Sequence, residues 1–196
     1  MSNPLNWPTK QYNIIYADPP WHFSSGIRSS KKIAGKYQYY TPETTVGMGR
    51  YKSTMTNAEI IALPVAELAA QDCALFLWTT DAHLPLALSV MTAWGMPYKT
   101  VAFVWNKKEQ SGKQVCYYGK WTLKGTELCL LGAKGKANSM LVSHKVRGLV
   151  EAPRGEHSVK PACVRDKIVE LMGDRPRVEL FARRQTLGWD VWGDEV

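Results

Sequence analysis

YNIIYADPPW, residues 12–21, is the stretch on which the fold turns. Tyr12 to Ala17 make a short apolar run, of the kind a strand covered on both faces needs. Asp18 follows, then two prolines that have no N–H to give to a sheet. The strand must therefore stop at Asp18 and pass a carboxylate to a stiff turn. In open α/β sheets ligands lie beyond the carboxyl ends of the strands. A functional turn is expected there.

Working outward, ALFLWT (74–79), Lys99–Trp105, ELCLL (127–131) and VELFA (178–182) read as further strands, with GWDVWG (188–193) as a short last one. Thr56 with Glu59 three residues on forms a capping box, and Ile60, Ile61, Leu63 and Leu68 supply apolar positions. Pro64 should divide that segment into two short helices. A helix is predicted over Leu84–Trp94 with Gly95 as its stop. Another is predicted over Pro161–Met172, with Val164, Ile168, Leu171 and Met172 on one face and Gly173 ending it. Strands alternating with helices predict an α/β fold, Rossmann-like, with a mostly parallel central sheet. Residues 22–55 show no period and read as a long functional loop. There is no repeat or linker, so residues 1–196 are expected to form a single domain.

Composition narrows the class. Hydrophobic residues make up 45% and charged residues 21% of the chain, as in ordinary globular proteins. No apolar run approaches the roughly 18 residues a membrane span needs, and Met1–Lys10 lacks a signal pattern. A cytoplasmic protein without membrane contact is expected. Cys73, Cys116, Cys129 and Cys163 are scattered, and so are the four histidines. Neither a disulfide framework nor a metal site is expected, and the thiols should be buried. The net charge of +8 favours a polyanionic partner. Arg28, Lys31, Lys32, Lys36, Arg50 and Lys52 crowd the segment after the turn. Lys134, Lys136, Lys145, Arg147 and Arg154 precede His157. Both groups are candidates for gripping phosphates and for ordering when nucleic acid binds. No glycine-rich dinucleotide or phosphate loop follows a strand.

The turn itself suits one kind of chemistry. An exocyclic amino group on a nucleobase is a poor nucleophile because its lone pair is delocalised into the ring. Acceptors placed around its two N–H groups favour a pyramidal nitrogen and hold it in line with a methyl donor. Asp18 offers a carboxylate, Pro19 or Pro20 a backbone carbonyl, and Trp21 a face on which an extruded base can stack. The tetrapeptide arises by chance in roughly one of a few thousand chains of average composition.

With these blocks in place the chain resembles the MT-A70 family of adenine-N6 methyltransferases, in particular its short phage and bacterial members. The likeness runs through IIYADPPW (14–21), YKSTM (51–55), LFLWTT (75–80), GKWTLKGTELCLLGAKG (119–135), APRGEHSVKP (152–161), VELFARR (178–184) and GWDVWGDEV (188–196). The resemblance implies S-adenosylmethionine as donor, DNA adenine as acceptor, and a bacterial or phage-infected host cell. It places Asp18, Pro19, Pro20 and Trp21 in the catalytic turn and Trp78 beside Trp21 in the base pocket. It gives Lys160 the donor's carboxylate, and Leu180, Phe181, Arg183, Gln185 and Thr186 the donor-binding strand end. Asp194 and Glu195 take the ribose and adenine contacts. With few residues before Asp18, the donor's adenine is expected to be held from the C-terminal side.

The chain departs from the family at several points. Asp194 stands where Asn is usual, and Gly155 and Val159 where relatives often carry arginines. Ala162 replaces a frequent Asp, and Gly125 a common Asn. Three alternatives stand beside the main reading: RNA as substrate, cytosine N4 as acceptor, and an inactive nucleic-acid-binding partner of a methyltransferase. The pattern leaves monomer and homodimer open.

Overall fold

The computed structural model describes residues 6–21, 30–33, 36–39, 55–119, 121–155 and 159–196, with backbone alone in 30–33 and 36–39. β1 (Tyr12–Ala17) is the predicted first strand. β2 (Ser30–Ile33) and β3 (Lys36–Tyr39) form a two-stranded antiparallel ribbon inside the segment expected to be a loop. Thr56 caps α1 (Asn57–Ala62) with the full reciprocal capping box. Pro64 separates it from α2 (Val65–Leu68), as anticipated.

β4 (Ala69–Thr79) starts five residues before the predicted run, because Gln71 and Asp72 interrupt the apolar stretch between Ala69 and Cys73, the two buried residues there. Then follow α3 (Leu84–Ala93), β5 (Tyr98–Lys108), β6 (Thr126–Lys134) and β7 (Leu149–Pro153). α4 (Cys163–Met172), β8 (Arg177–Leu180) and β9 (Asp190–Trp192) complete the chain. Gly95 and Gly173 follow α3 and α4 at positive φ, the helix stops the sequence called for. β7 was not foreseen. It lies at the sheet edge with Val150 as its one buried residue, so it carries no apolar run to read.

The main sheet has the order β7-β5-β6-β4-β1-β8-β9. β1 runs parallel to β4 and β8, β8 to β9, and β5 to β7, while β6 is antiparallel to both neighbours. A mostly parallel α/β sheet results, as predicted. Alternation along its strands feeds two cores. Ile15, Ala17, Leu75, Leu77 and Leu180 face α1–α3 on one side. Ile14, Tyr16, Phe76, Trp78 and Cys129 face α4 and Met140 on the other. The continuous apolar runs of β1 and β4 follow from cover on both faces. The thiols divide: Cys73 and Cys129 are buried, but Cys116 and Cys163 are exposed, which corrects the expectation of buried thiols.

Parallel pairing brings the ends of β1, β4, β8 and β9 to one edge, so Asp18, Thr80, Phe181 and Gly193 become neighbours there. The end of β5 and the start of β6 reach the same edge.

α4 is fastened to β8 by a buried ion pair. Arg165 donates to Glu179 through Nε (2.6 Å) and Nη2 (2.5 Å), with its guanidinium 5.6 Å from the Tyr16 ring centre. Glu179→Ala leaves the buried cation uncompensated and should cost about 3–5 kcal/mol. Urea denaturation will read this as a lower midpoint, and an unmoved midpoint would rule out that role. Replacing the pair together by Met and Leu should recover most of the loss.

Candidate active site

Asp18 sits where β1 ends, with its N–H 3.5 Å from the Leu180 carbonyl of β8. Within the turn, the Trp21 N–H donates to the Pro19 carbonyl at 2.8 Å. Of the two proline carbonyls, Pro19's is thereby engaged, and Pro20's accepts no bond from the described residues. The prolines hold the turn stiff, and Asp18 is only partly covered.

The Asp18 carboxylate is held from below. Lys160 Nζ donates to its Oδ2 at 2.7 Å and lies 3.2 Å from Glu127 Oε2. Glu127 in turn pairs with Lys107. Two acids and two bases thus form one chain, Asp18–Lys160–Glu127–Lys107, buried at Lys160 and Glu127 and partly covered at its ends. It exists because Glu127 opens β6 at the same edge at which β1 ends. Burial pushes the Asp18 carboxyl above its ordinary range; Lys160 opposes this and Glu127 adds to it. Glu127 is also buried, but Lys160 and Lys107 together hold it below the usual carboxylate range. Burial works against the charge on Lys160, and the two carboxylates outweigh it and raise its pKa.

Trp21 is half-buried. Its Nε1 donates to the Trp78 carbonyl at 3.0 Å, and its ring stacks on His83 with centres 5.9 Å apart and planes 17° from parallel. His83 is fixed in turn by Thr80 Oγ1, 2.9 Å from Nδ1. Trp78 departs from expectation. It is fully buried, donates to the Tyr16 hydroxyl at 2.6 Å, and packs edge-on against Trp105. It has no face to offer a base, and instead floors the site beneath Lys160, whose ammonium lies 5.7 Å from its ring centre.

Beside the turn opens a shallow cleft lined by Asp18, Pro20, Phe181, Arg183, Trp192, Asp194 and Glu195 among others. Phe181 adopts φ 63°, a left-handed conformation that non-glycine residues avoid. That strain ends β8 one residue past Leu180 and turns the Phe181 ring against Trp192, centres 5.5 Å apart. Gly193 is required, since a Cβ there would stand 2.2 Å from the Ala182 carbonyl. The cleft offers three carboxylates and two aromatic rings, which suits a ligand with a positive charge and a diol.

The remaining predicted residues are placed unevenly. Leu180 is buried in β8, and Gln185 and Thr186 stand outside the cleft, the Thr186 carbonyl accepting from the Trp189 N–H at 3.1 Å. Lys160 is brought to Asp18 rather than to the cleft wall. Arg28, Arg50, Lys52 and His157 lie outside the described residues, and of Lys31, Lys32 and Lys36 only the backbone is described. The second basic group is split by the sheet. Lys134 ends β6 and Lys136 follows it, and Lys145 and Arg147 precede β7, so all four lie away from Asp18. Arg154 alone follows β7 to the Asp18 edge, where it is paired with Glu109 at 3.0 Å.

Sequence reasoning missed Glu127, Lys107 and His83. A charged residue opening the apolar run ELCLL was the available signal for Glu127. In the sequence His83 stands only as one of four scattered histidines without ligand spacing, and nothing local marks it as a partner for Trp21.

A family model described as MT-A70 matches residues 12–195. The chain is 36% identical over 191 residues to the Type II methyltransferase M.MunI of a Mycoplasma species, covering 96% of this chain and 79% of that one. It is 26% identical to the N6-methyladenosine RNA methyltransferase MTA1 of Pyricularia oryzae, covering 94% of this chain and 47% of that protein. It is also 26% identical to the human N(6)-adenine-specific methyltransferase METTL4, over 95% of this chain and 38% of that one.

The buried chain has a measurable sign. Carboxyl NMR should find Asp18 titrating above an ordinary aspartate. Lys160→Met removes the nearest cation and should move that titration higher. Glu127→Gln removes a neighbouring anion and should move it lower. Shifts of the opposite sign would break the network.

Proposed function

The chain belongs to the MT-A70 family, and from that membership we propose that it transfers a methyl group from S-adenosylmethionine to the N6 amino group of adenine in DNA. The observation that carries this reading is the Asp18 carboxylate, oriented by Lys160 at 2.7 Å and standing in the wall of an acidic, aromatic cleft.

Asp18, Pro20, Phe181, Arg183, Asp194 and Glu195 would hold the donor. When bound, the donor supplies a methyl carbon made electrophilic by a positively charged sulfur. Asp18 and the rings of Phe181 and Trp192 favour that positive charge. Asp194 or Glu195 accepts from ribose hydroxyls, as acidic residues do in dinucleotide folds.

Lys160 occupies Oδ2 of Asp18, so Oδ1 is the oxygen that accepts one amino N–H of the adenine. The Pro20 carbonyl accepts the other. Held by both, the nitrogen presents its lone pair in line with the cleft. Trp21, braced by His83, offers its indole to the base, which must leave the stack of a duplex at a cost of about a few kcal/mol. Once the nitrogen is alkylated its proton is acidic, and Asp18, with its raised pKa, suits the role of receiving it.

Support for DNA comes from the 36% identity to a Type II methyltransferase against 26% to the fungal RNA enzyme. The intact turn and its ion pair speak against an inactive partner.

Labelled donor with matched single- and double-stranded DNA and RNA, followed by nucleoside analysis, tests the reading: N6-methyl-2′-deoxyadenosine should appear from DNA. N4-methylcytosine, or product in RNA alone, would replace it. Asp18→Ala should lower turnover about a hundredfold or more. Because Asp18 acts ionised and its carboxyl is raised, the acid limb of the rate profile should lie above that of an ordinary aspartate, and Lys160→Met should move it higher. Asp194→Asn should preserve donor affinity by calorimetry, whereas a large loss would give the acid a role of its own.

A further inference from the structure

Between β5 and β6 the chain leaves the Asp18 edge of the sheet and folds back on itself over residues 109–125. Two backbone pairs fix the excursion. The Val115 N–H donates to the Lys107 carbonyl at 3.0 Å, and Tyr117 and Lys124 exchange bonds of 2.7 and 2.8 Å, closing the loop 118–123. At its root Val115 is buried, and a Cβ on Gly125 would stand 2.2 Å from the Val115 carbonyl. Side chains tie the loop to the active site. Lys124 pairs with Asp81, two residues before His83. Arg154 donates to the Tyr117 hydroxyl at 3.1 Å, and Lys107, the last member of the Asp18 chain, has its ammonium 5.7 Å from the Tyr117 ring centre.

This held loop turns its aromatic rings to water. Tyr118 is 95% and Trp121 90% exposed, with Leu123 at 61%. Folding gains nothing from two large rings fixed in solvent, and exposed apolar surface on a built loop marks an interaction site. The surrounding charge identifies the partner. Lys107, Lys108 and Lys124 are matched by Glu127, Glu151 and Asp81, and Glu109, the segment's one acid, by Arg154, so the charge the sequence adds here is that of Lys113 and Lys120. Two loops meeting across a two-fold axis would set these lysines against themselves, so a second copy suits the surface poorly. A polyanion that also carries stackable rings suits both features.

We infer that the 118–123 loop is a stacking platform for the nucleic-acid substrate, taking unpaired bases next to the target adenine on Trp121 and Tyr118 while Lys113, in the same excursion, meets a flanking phosphate. This rests on the proposed function and adds to it the element that grips the strand. It replaces the basic residues 134–147, which the sheet carries away from Asp18.

The test uses the full chain and a fluorescein-labelled, adenine-containing single-stranded oligodeoxynucleotide. Trp121→Ala should weaken binding roughly five- to a hundredfold, with an unchanged slope of log Kd against log salt. Trp121→Phe should restore most of the affinity and Trp121→Leu should not. Lys113→Ala should flatten the salt slope by about one charge. Calorimetry with S-adenosylmethionine should give wild-type donor affinity for every loop variant, which shows the cleft is intact. Undiminished oligonucleotide affinity in both Trp121→Ala and Tyr118→Ala overturns the platform. So does rescue by leucine equal to that by phenylalanine, or a wild-type dimer that Trp121→Ala dissolves. If the wild type methylates adenine and the loop variants bind as it does, the platform falls and the proposed function stands. A wild type that methylates no nucleic acid removes both.

Discussion

Everything at the Asp18 edge depends on the burial of charge. A carboxylate taken out of water is tolerated only when a cation and further hydrogen bonds compensate it. Asp18 obtains this from Lys160, Lys160 is shared with Glu127, and Glu127 is balanced by Lys107. The set contains two negative and two positive groups, so the site is close to neutral while Asp18 remains a charged acceptor. Since each member is contributed by a different segment, the chain of charges also fixes the register of the turn, β6, the end of β5 and the segment before α4.

The sheet makes that arrangement available. β6 alone runs against its neighbours, so its first residues, not its last, arrive beside the ends of β1 and β4. Had β6 been parallel, Glu127 would lie at the far edge and Lys160 would lose its second carboxylate. The same reversal sends the chain from β5 to β6 by a local excursion at the Asp18 edge, and that excursion carries the exposed rings. Strain is concentrated here as well: Phe181 is held at positive φ where β8 meets the cleft, and Gly193 is pressed against Ala182. The interior beneath is rigid and conventionally packed, with Trp78, Trp105 and Tyr16 interlocked under the ammonium of Lys160.

Charge on the outside follows another logic. A net charge of +8 says that a polyanion is favoured but not where it lies. Sequence proximity to His157 suggested residues 134–154, yet strand direction divides them, leaving Arg154 at the site and the others away from it. Charge clusters in sequence become patches in space only when the elements between them return to the same edge.

The local sequence determined the strand YNIIYA and its stop, the capping box at Thr56, the break at Pro64 and the helix ends at Gly95 and Gly173. Each depends on residues within a turn of one another, through missing N–H groups, side-chain caps or backbone freedom. It also determined the acidic turn, because Asp18, the prolines and Trp21 are contiguous. Tertiary structure alone decided that Lys160, 142 residues away, would pair with Asp18 and that Glu127 would join them. It likewise decided that Trp78 would be floor rather than wall, and that edge strand β7 would form without an apolar signature. These outcomes depend on strand order, direction and register, which are set by burying two faces of a sheet at once and leave no mark on any single stretch of the chain.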